Sequence, residues 1–128
     1  MQNRNYTVED VTNNPAYWRK DIDFIVTSPT TGLTKTFEVK WDTNINRTGN
    51  LFLELANSRA EEGYGWYEVC KADYLAYGDA TTQTFYIIPL LELREKVKSL
   101  PQRIGQCGNE SIGQLVSLKS VSDIIQIL

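Results

Sequence analysis

The sequence predicts a mixed sheet carrying one or two helices, α+β or α/β in class, and three observations carry that expectation. Two β-prone runs, Ile22 to Ser28 and Leu33 to Trp41, flank Pro29-Thr30-Thr31-Gly32, the pattern of a hairpin around a glycine-ended turn. Thr84-Phe85-Tyr86-Ile87-Ile88 is a strong strand stopped by Pro89. Directly after it, Leu90 to Lys98 places Leu90, Leu93 and Val97 at i, i+3 and i+7 with charges on the opposite side, the period of an amphipathic helix. With 128 residues and 41% apolar content, residues 1–128 are expected to form a single domain.

The remaining elements follow in chain order. Residues 1–20 are polar and rich in Asn; Thr7-Val8-Glu9-Asp10 has the spacing of a helix start with Pro15 soon after, so a short helix or an ordered loop is expected. Asn44 to Asn50 reads as a polar loop closing on Gly49, and Leu51-Phe52-Leu53-Glu54-Leu55 as a third strand. Glu61 to Gly65 is expected as loop, and Trp66 to Lys71 fits either a short helix or a strand. Ala72 to Tyr77 is strand-like before a turn at Gly78-Asp79-Ala80-Thr81. After Pro101, Gly105 to Gly113 reads as loop, Leu115 to Leu118 as a last strand and Val121 to Leu128 as an apolar tail.

Composition excludes several chemistries. There is no histidine, which removes Ser-His-Asp and Cys-His nucleophile pairs, histidine zinc sites and histidine general bases. Cys70 and Cys107 stand 37 residues apart with no C-x-x-C, so a thiolate metal site is not expected, and a reduced pair fits as well as a disulfide. The start of the chain has no apolar leader, and no apolar run approaches the ~20 residues that span a bilayer, so an intracellular protein with no membrane partner is expected. The net charge of −3 argues weakly against non-specific nucleic-acid binding, although local patches steer ligands more than totals do. Arg47 and Lys71 are the loop cations that can meet phosphate. Tyr64, Trp66, Tyr67, Tyr74, Tyr77 and Tyr86 can stack on bases, though aromatics in strands more often pack. Arg94, Lys96 and Lys98, interrupted by Glu92 and Glu95, read as a solubility surface.

The hairpin supplies the functional clue. If the turn is symmetric, residues whose numbers sum to 61 face each other, which sets Asp23 opposite Glu38 and Asp21 opposite Lys40, all on one face. Ile22, Phe24, Val26, Phe37 and Val39 then lie on the other face, which is expected to be core. Opposed carboxylates repel, and a divalent cation held between Asp23 and Glu38 relieves the repulsion, oxygen ligands suiting Mg²⁺ or Mn²⁺. Lys40 would stand beside that metal, placed to orient water and steady charge on a phosphate. The bland alternative is an ordinary Asp21–Lys40 surface pair with Asp23 and Glu38 splayed into solvent.

Asp23, fourteen residues, then Glu38-Val39-Lys40 resembles the signature of the PD-(D/E)XK nuclease superfamily. Asp21-Ile22-Asp23-Phe24, Glu38-Val39-Lys40-Trp41-Asp42, Thr48-Gly49-Asn50-Leu51-Phe52-Leu53-Glu54 and Gly65-Trp66 leading to Lys71-Ala72-Asp73-Tyr74-Leu75 follow in the order of its small phage and bacterial members, which look like Holliday-junction resolvases. The resemblance covers about residues 9–98. It implies a restriction-endonuclease-like mixed sheet flanked by helices, here with a shortened N-terminal helix, and Mg- or Mn-dependent hydrolysis of DNA, branched DNA included. Asp23 and Glu38 match its metal carboxylates, the Val39 carbonyl the third metal ligand, and Lys40 the catalytic lysine. Glu54 is a further candidate, and Glu9 or Asp10 would stand in for an acidic residue of the missing helix. A cytoplasmic setting in a bacterium or phage-infected cell and a homodimer go with that reading. The competing expectation is a catalytically silent module on the same fold, such as a phage accessory or inhibitor protein.

Overall fold

The computed structural model describes residues 6–18, 20–59 and 63–128. Thr7-Val8-Glu9-Asp10 is not a helix start but an edge strand, β1 (Thr7–Asp10), antiparallel to β2 (Phe24–Thr27). Val8 stands opposite Val26, and the Asp10 carboxylate accepts the Thr12 N–H (2.9 Å), closing a turn that stops the strand. A single helical turn follows, α1 (Pro15–Trp18), with Pro15 in the first position, where its missing N–H costs nothing.

The hairpin forms in the expected register, but β2 begins at Phe24, so Asp21, expected on the strand opposite Lys40, lies in the preceding loop. β2 pairs with β3 (Thr34–Asp42) in the register Phe24↔Phe37, Ile25↔Thr36, Val26↔Lys35 and Thr27↔Thr34, so every pair sums to 61. Gly32 takes φ 72° in the turn, a left-handed conformation open to glycine. One helical turn, α2 (Ile45–Thr48), lies within the expected loop and ends on Gly49 at φ 69°.

β4 (Asn50–Asn57) does not join the hairpin; it opens a second sheet. The ambiguous segment is a helical turn, α3 (Trp66–Val69). β5 (Tyr74–Asp79) then returns parallel to β3 and takes β6 (Thr84–Pro89) antiparallel on its other edge. α4 (Leu90–Lys98) has the expected bounds and buries Leu90, Leu93 and Val97. The stretch expected as loop is a hairpin, β7 (Ile104–Cys107) and β8 (Ser111–Ser117), turning at Gly108 with φ 63°. A 3-10 helix (Leu118–Ile124) and the short strand β9 (Gln126–Ile127) end the chain. The result is mixed α/β: a six-stranded sheet ordered β1-β2-β3-β5-β6-β9 and a three-stranded sheet ordered β4-β8-β7.

The core lies on the opposite side of the large sheet from the expected one. Leu75, Tyr77 and Ile88 are buried among Leu51, Leu53, Leu90, Leu93, Val97, Val116 and Val121, and they share the face of Glu38 and Lys40. Ile22 is buried as expected, but Phe24, Val26, Phe37 and Val39 are not all core: Phe24, Val26 and Phe37 are only half-buried on the outer face, as is Val39. Strand β5 is apolar on both sides, so the β3 alternation alone misassigns the interior. The outer face is an aromatic surface with Phe37 stacked on Tyr74 (centroids 5.1 Å) and Trp41 edge-on to Phe85 (4.7 Å). Trp41 and Phe85 meet across Gly78, where an added Cβ would lie 2.8 Å from the Trp41 ring and 2.9 Å from Phe85. α4 packs on β6 on the inner side, and the other α-helices of the described residues are single turns. Among the described residues, no helix is long and apolar enough to cross a membrane.

Candidate functional site

Asp23 ends the loop that enters β2 and is held from two directions. Its N–H donates to the Phe37 carbonyl (2.8 Å), and its carbonyl accepts the Val11 N–H (2.8 Å). Its carboxylate Oδ2 accepts the Val39 N–H (2.8 Å), which draws Asp23 against β3. Glu38, next along β3 and on the inner face, is only 4% exposed. Lys40, one inner-face position further, puts its Nζ 3.2 Å from Glu38 Oε1. Burial pushes the Glu38 carboxyl up to about 8; Lys40 opposes the shift, while Asp23 and Asp21 add to it.

Asp21 sits in a left-handed conformation, φ 50°, in the same loop. The loop is tied to the chain after α3: the Lys71 N–H donates to the Lys20 carbonyl (2.7 Å), and the Cys70 thiol donates to the Asp21 carbonyl (3.4 Å). Burial raises the Asp21 carboxyl, Lys40 opposes, and the charges of Asp23 and Glu54 raise it further. Glu54, from the second sheet, accepts from the Trp66 N–H (3.2 Å), the Ser111 hydroxyl (2.7 Å) and the Asn57 amide (3.3 Å). Gly65 permits that contact, since a Cβ there would lie 2.4 Å from the Glu54 carbonyl oxygen. The Lys40 ammonium lies 5.4 Å from the Trp66 ring centroid. Lys40 thus pairs with Glu38 and acts on Asp21, while Asp23 adds its charge to both carboxyls and Glu54 to Asp21.

Beside Lys40 a cleft of about 350 Å³ opens between the end of β3, α2 and the second sheet; Arg47 lines it. Its floor is braced by Tyr77, whose hydroxyl donates to the Asp42 carboxylate and accepts the Phe52 N–H (3.0 Å). Burial, and then Asp42, push the Tyr77 hydroxyl far up, so it stays protonated as the donor. In the sequence Tyr77 is one aromatic among many, and nothing in the run from Glu38 to Asp42 marks Asp42 as its partner.

Other expected residues fall elsewhere. Glu9 is exposed on the edge strand β1 opposite Ile25, and Asp10 is engaged in its own turn, so neither is brought to Asp23 and Glu38. Val39 points its side chain outward, while its N–H holds Asp23. The Lys71 side chain is exposed, and Lys71 is not among the cleft residues. Tyr67 is buried, Tyr74 stacks on Phe37 and Tyr86 packs on the core, whereas Trp66 and the buried Tyr77 line the cleft. Arg94 is not a solubility residue: it donates to the Tyr67 and Cys70 carbonyls (both 2.8 Å) and pins the end of α3. Lys96 pairs with Asp123 (2.6 Å) and Lys98 with Glu95 (3.0 Å). Both cysteines are free thiols, Cys70 buried and Cys107 exposed.

Among the described residues, no three acidic or Cys side chains close into a group the size of a metal ion. The Asp23 and Glu38 donor set is nonetheless all oxygen, which suits a hard cation, and Mg²⁺ commonly takes one or two carboxylates and completes its shell with water. The chain matches no family model, no curated protein and no solved structure.

Proposed function

We propose that the chain is a divalent-metal-dependent endonuclease of the PD-(D/E)XK kind, hydrolysing DNA phosphodiester bonds, with a restriction-endonuclease-like variant of that fold. The supporting observation is the inward-facing set of Asp23, Glu38 and Lys40: Glu38 is 4% exposed and 3.2 Å from Lys40, and Asp23 is drawn to the same strand by the Val39 N–H. A buried carboxyl with further carboxylates near it and a single lysine partner is a strained electrostatic arrangement, and ligand-binding sites are where such arrangements cluster. Asp23, Glu38 and the Val39 carbonyl would hold Mg²⁺ or Mn²⁺, which when bound supplies an activated water at neutral pH without histidine. Lys40 orients the nucleophile and neutralises charge on the phosphate; Glu54 and Asp21 add negative potential that favours the cation.

A second reading, a silent binding module on this fold, is favoured by one observation: the Glu38 carboxylate has a direct partner in Lys40 at 3.2 Å. One experiment separates the two. Purified protein is incubated with Mg²⁺ or Mn²⁺ and with duplex, branched or single-stranded DNA, and its thermal midpoint is followed with each ion. The nuclease reading expects metal-dependent nicking that Lys40→Ala abolishes while the circular dichroism spectrum is retained, and a midpoint raised by metal that Asp23→Asn prevents. Neither cleavage nor a metal-induced rise would overturn it in favour of the silent module.

A further inference from the structure

The cleft beside Lys40 has chemistry that hydrolysis alone does not require. Its volume of about 350 Å³ lies at the small end of the ~300–1,000 Å³ range of ligand pockets, room for one nucleotide rather than a stacked pair. Asp42 also lines it, its carboxylate taken up by the Tyr77 hydroxyl, and three other kinds of lining group suit a nucleotide. Lys40 and Arg47 supply cations. Phe52, Leu115 and Trp66 supply apolar and aromatic wall, the surface on which a base packs. Asn50 and Gln106 supply amides able to donate to and accept from a base edge. The wall is pre-organised, because the Phe52 N–H is satisfied by Tyr77 and Tyr77 by Asp42.

We propose that this cleft holds one unpaired nucleotide of a nucleic-acid strand, its base against Phe52, Leu115 and Trp66 and its phosphate toward Arg47 and Lys40. Lys40 belongs to both the cleft and the Glu38 pair, so the phosphate of the held nucleotide lies next to the carboxylate cluster. A base inside a duplex is stacked and paired and enters such a cleft only when taken out of the helix. The preferred substrate is therefore a single strand, a frayed end or an unpaired branch, rather than intact duplex. This deepens the nuclease reading and rests on it for the reaction, but the binding step needs no metal and is tested without one.

Cys107 gives the readout. It lines the cleft and is exposed, whereas Cys70 is buried and its thiol is pushed up to about 11. Alkylation by iodoacetamide, followed by mass spectrometry in EDTA, therefore reports on the cleft. The probes are a five-nucleotide DNA, an RNA of equal length and a blunt DNA duplex. Either pentamer is expected to slow Cys107 alkylation several-fold while the duplex leaves the rate within about twofold, and Arg47→Ala is expected to weaken protection by roughly tenfold in concentration. The ratio of the DNA and RNA arms identifies the sugar preferred. Unchanged alkylation with both pentamers at millimolar concentration, equal protection by duplex, or full protection in Arg47→Ala would each overturn the proposal. Protection without any metal-dependent cleavage sinks the nuclease reading alone; cleavage without protection sinks the cleft assignment alone.

Discussion

The two faces of the six-stranded sheet are built from the same strands and do opposite things. On the inner face, Leu75 and Ile88 are fully buried, and in that dry setting sits Glu38, with Lys40 beside it opening onto the cleft. On the outer face, Phe37, Tyr74, Trp41 and Phe85 pair with one another and stay partly open to solvent. The more polar set of β3 therefore lies on the packed side. Stability is concentrated where the large apolar side chains of both sheets and α4 meet, and the charged site uses that low-dielectric setting to make its electrostatics strong.

The sharpest test uses two neighbours on β6. Ile88→Ala is expected to cost about 2–5 kcal/mol in urea denaturation, the range for a large side chain lost from a packed core. Ile87→Ala, on the outer face, is expected to cost well under half of that. Equal losses would mean that the outer face is covered in solution.

The second test uses pH. Glu38 keeps its proton up to about pH 8 in the folded chain, whereas an unfolded glutamate loses it near its ordinary value. The unfolded state then binds fewer protons through that window, so stability falls as pH rises from the ordinary carboxylate range to about 8. A fall of a few kcal/mol is expected, at about 1.4 kcal/mol for each pH unit the window spans, and Glu38→Gln should flatten it. A stability curve unchanged by Glu38→Gln would remove Glu38 from the interior.

A smaller effect probes the outer face itself. Gly78→Ala drives a methyl into the Trp41 and Phe85 rings at 2.8 and 2.9 Å, and overpacking of that kind costs about 1–3 kcal/mol. In Gly78→Ala combined with Trp41→Ala, the part of the penalty due to the Trp41 ring should vanish. If the double variant shows the simple sum instead, the two aromatics do not meet across Gly78.

Legibility in the sequence follows how local the deciding interaction is. The β2–β3 register and the bounds of α4 are readable because a glycine turn and a 3.6-residue period act over a few residues. The β7–β8 hairpin is hidden by its glycines: Gly105 lies against Leu115 and Gly113 beneath Phe52 (nearest atoms 3.0 and 2.7 Å from an added Cβ), contacts between strands that look like loop flexibility in one dimension. Thr7-Val8-Glu9-Asp10 matches a helix start, and it becomes β1 only because β2 offers it an open edge. Asp23, Glu38 and Lys40 emerge from hairpin geometry and resemblance, while Glu54's partners and the Tyr77–Asp42 brace come from segments distant in the chain.

By itself, then, the sequence determined the class of fold, the absence of histidine chemistry and the pairing that sets Asp23 beside Glu38, because composition and short-range periodicity are properties of neighbouring residues. Only the tertiary structure decided which side of the sheet is interior. That choice depends on where β4, β8 and α4 find the largest apolar area to bury, and it takes Glu38 out of an exposed-looking row of charges into the interior, with Lys40 beside it at the edge of a cleft.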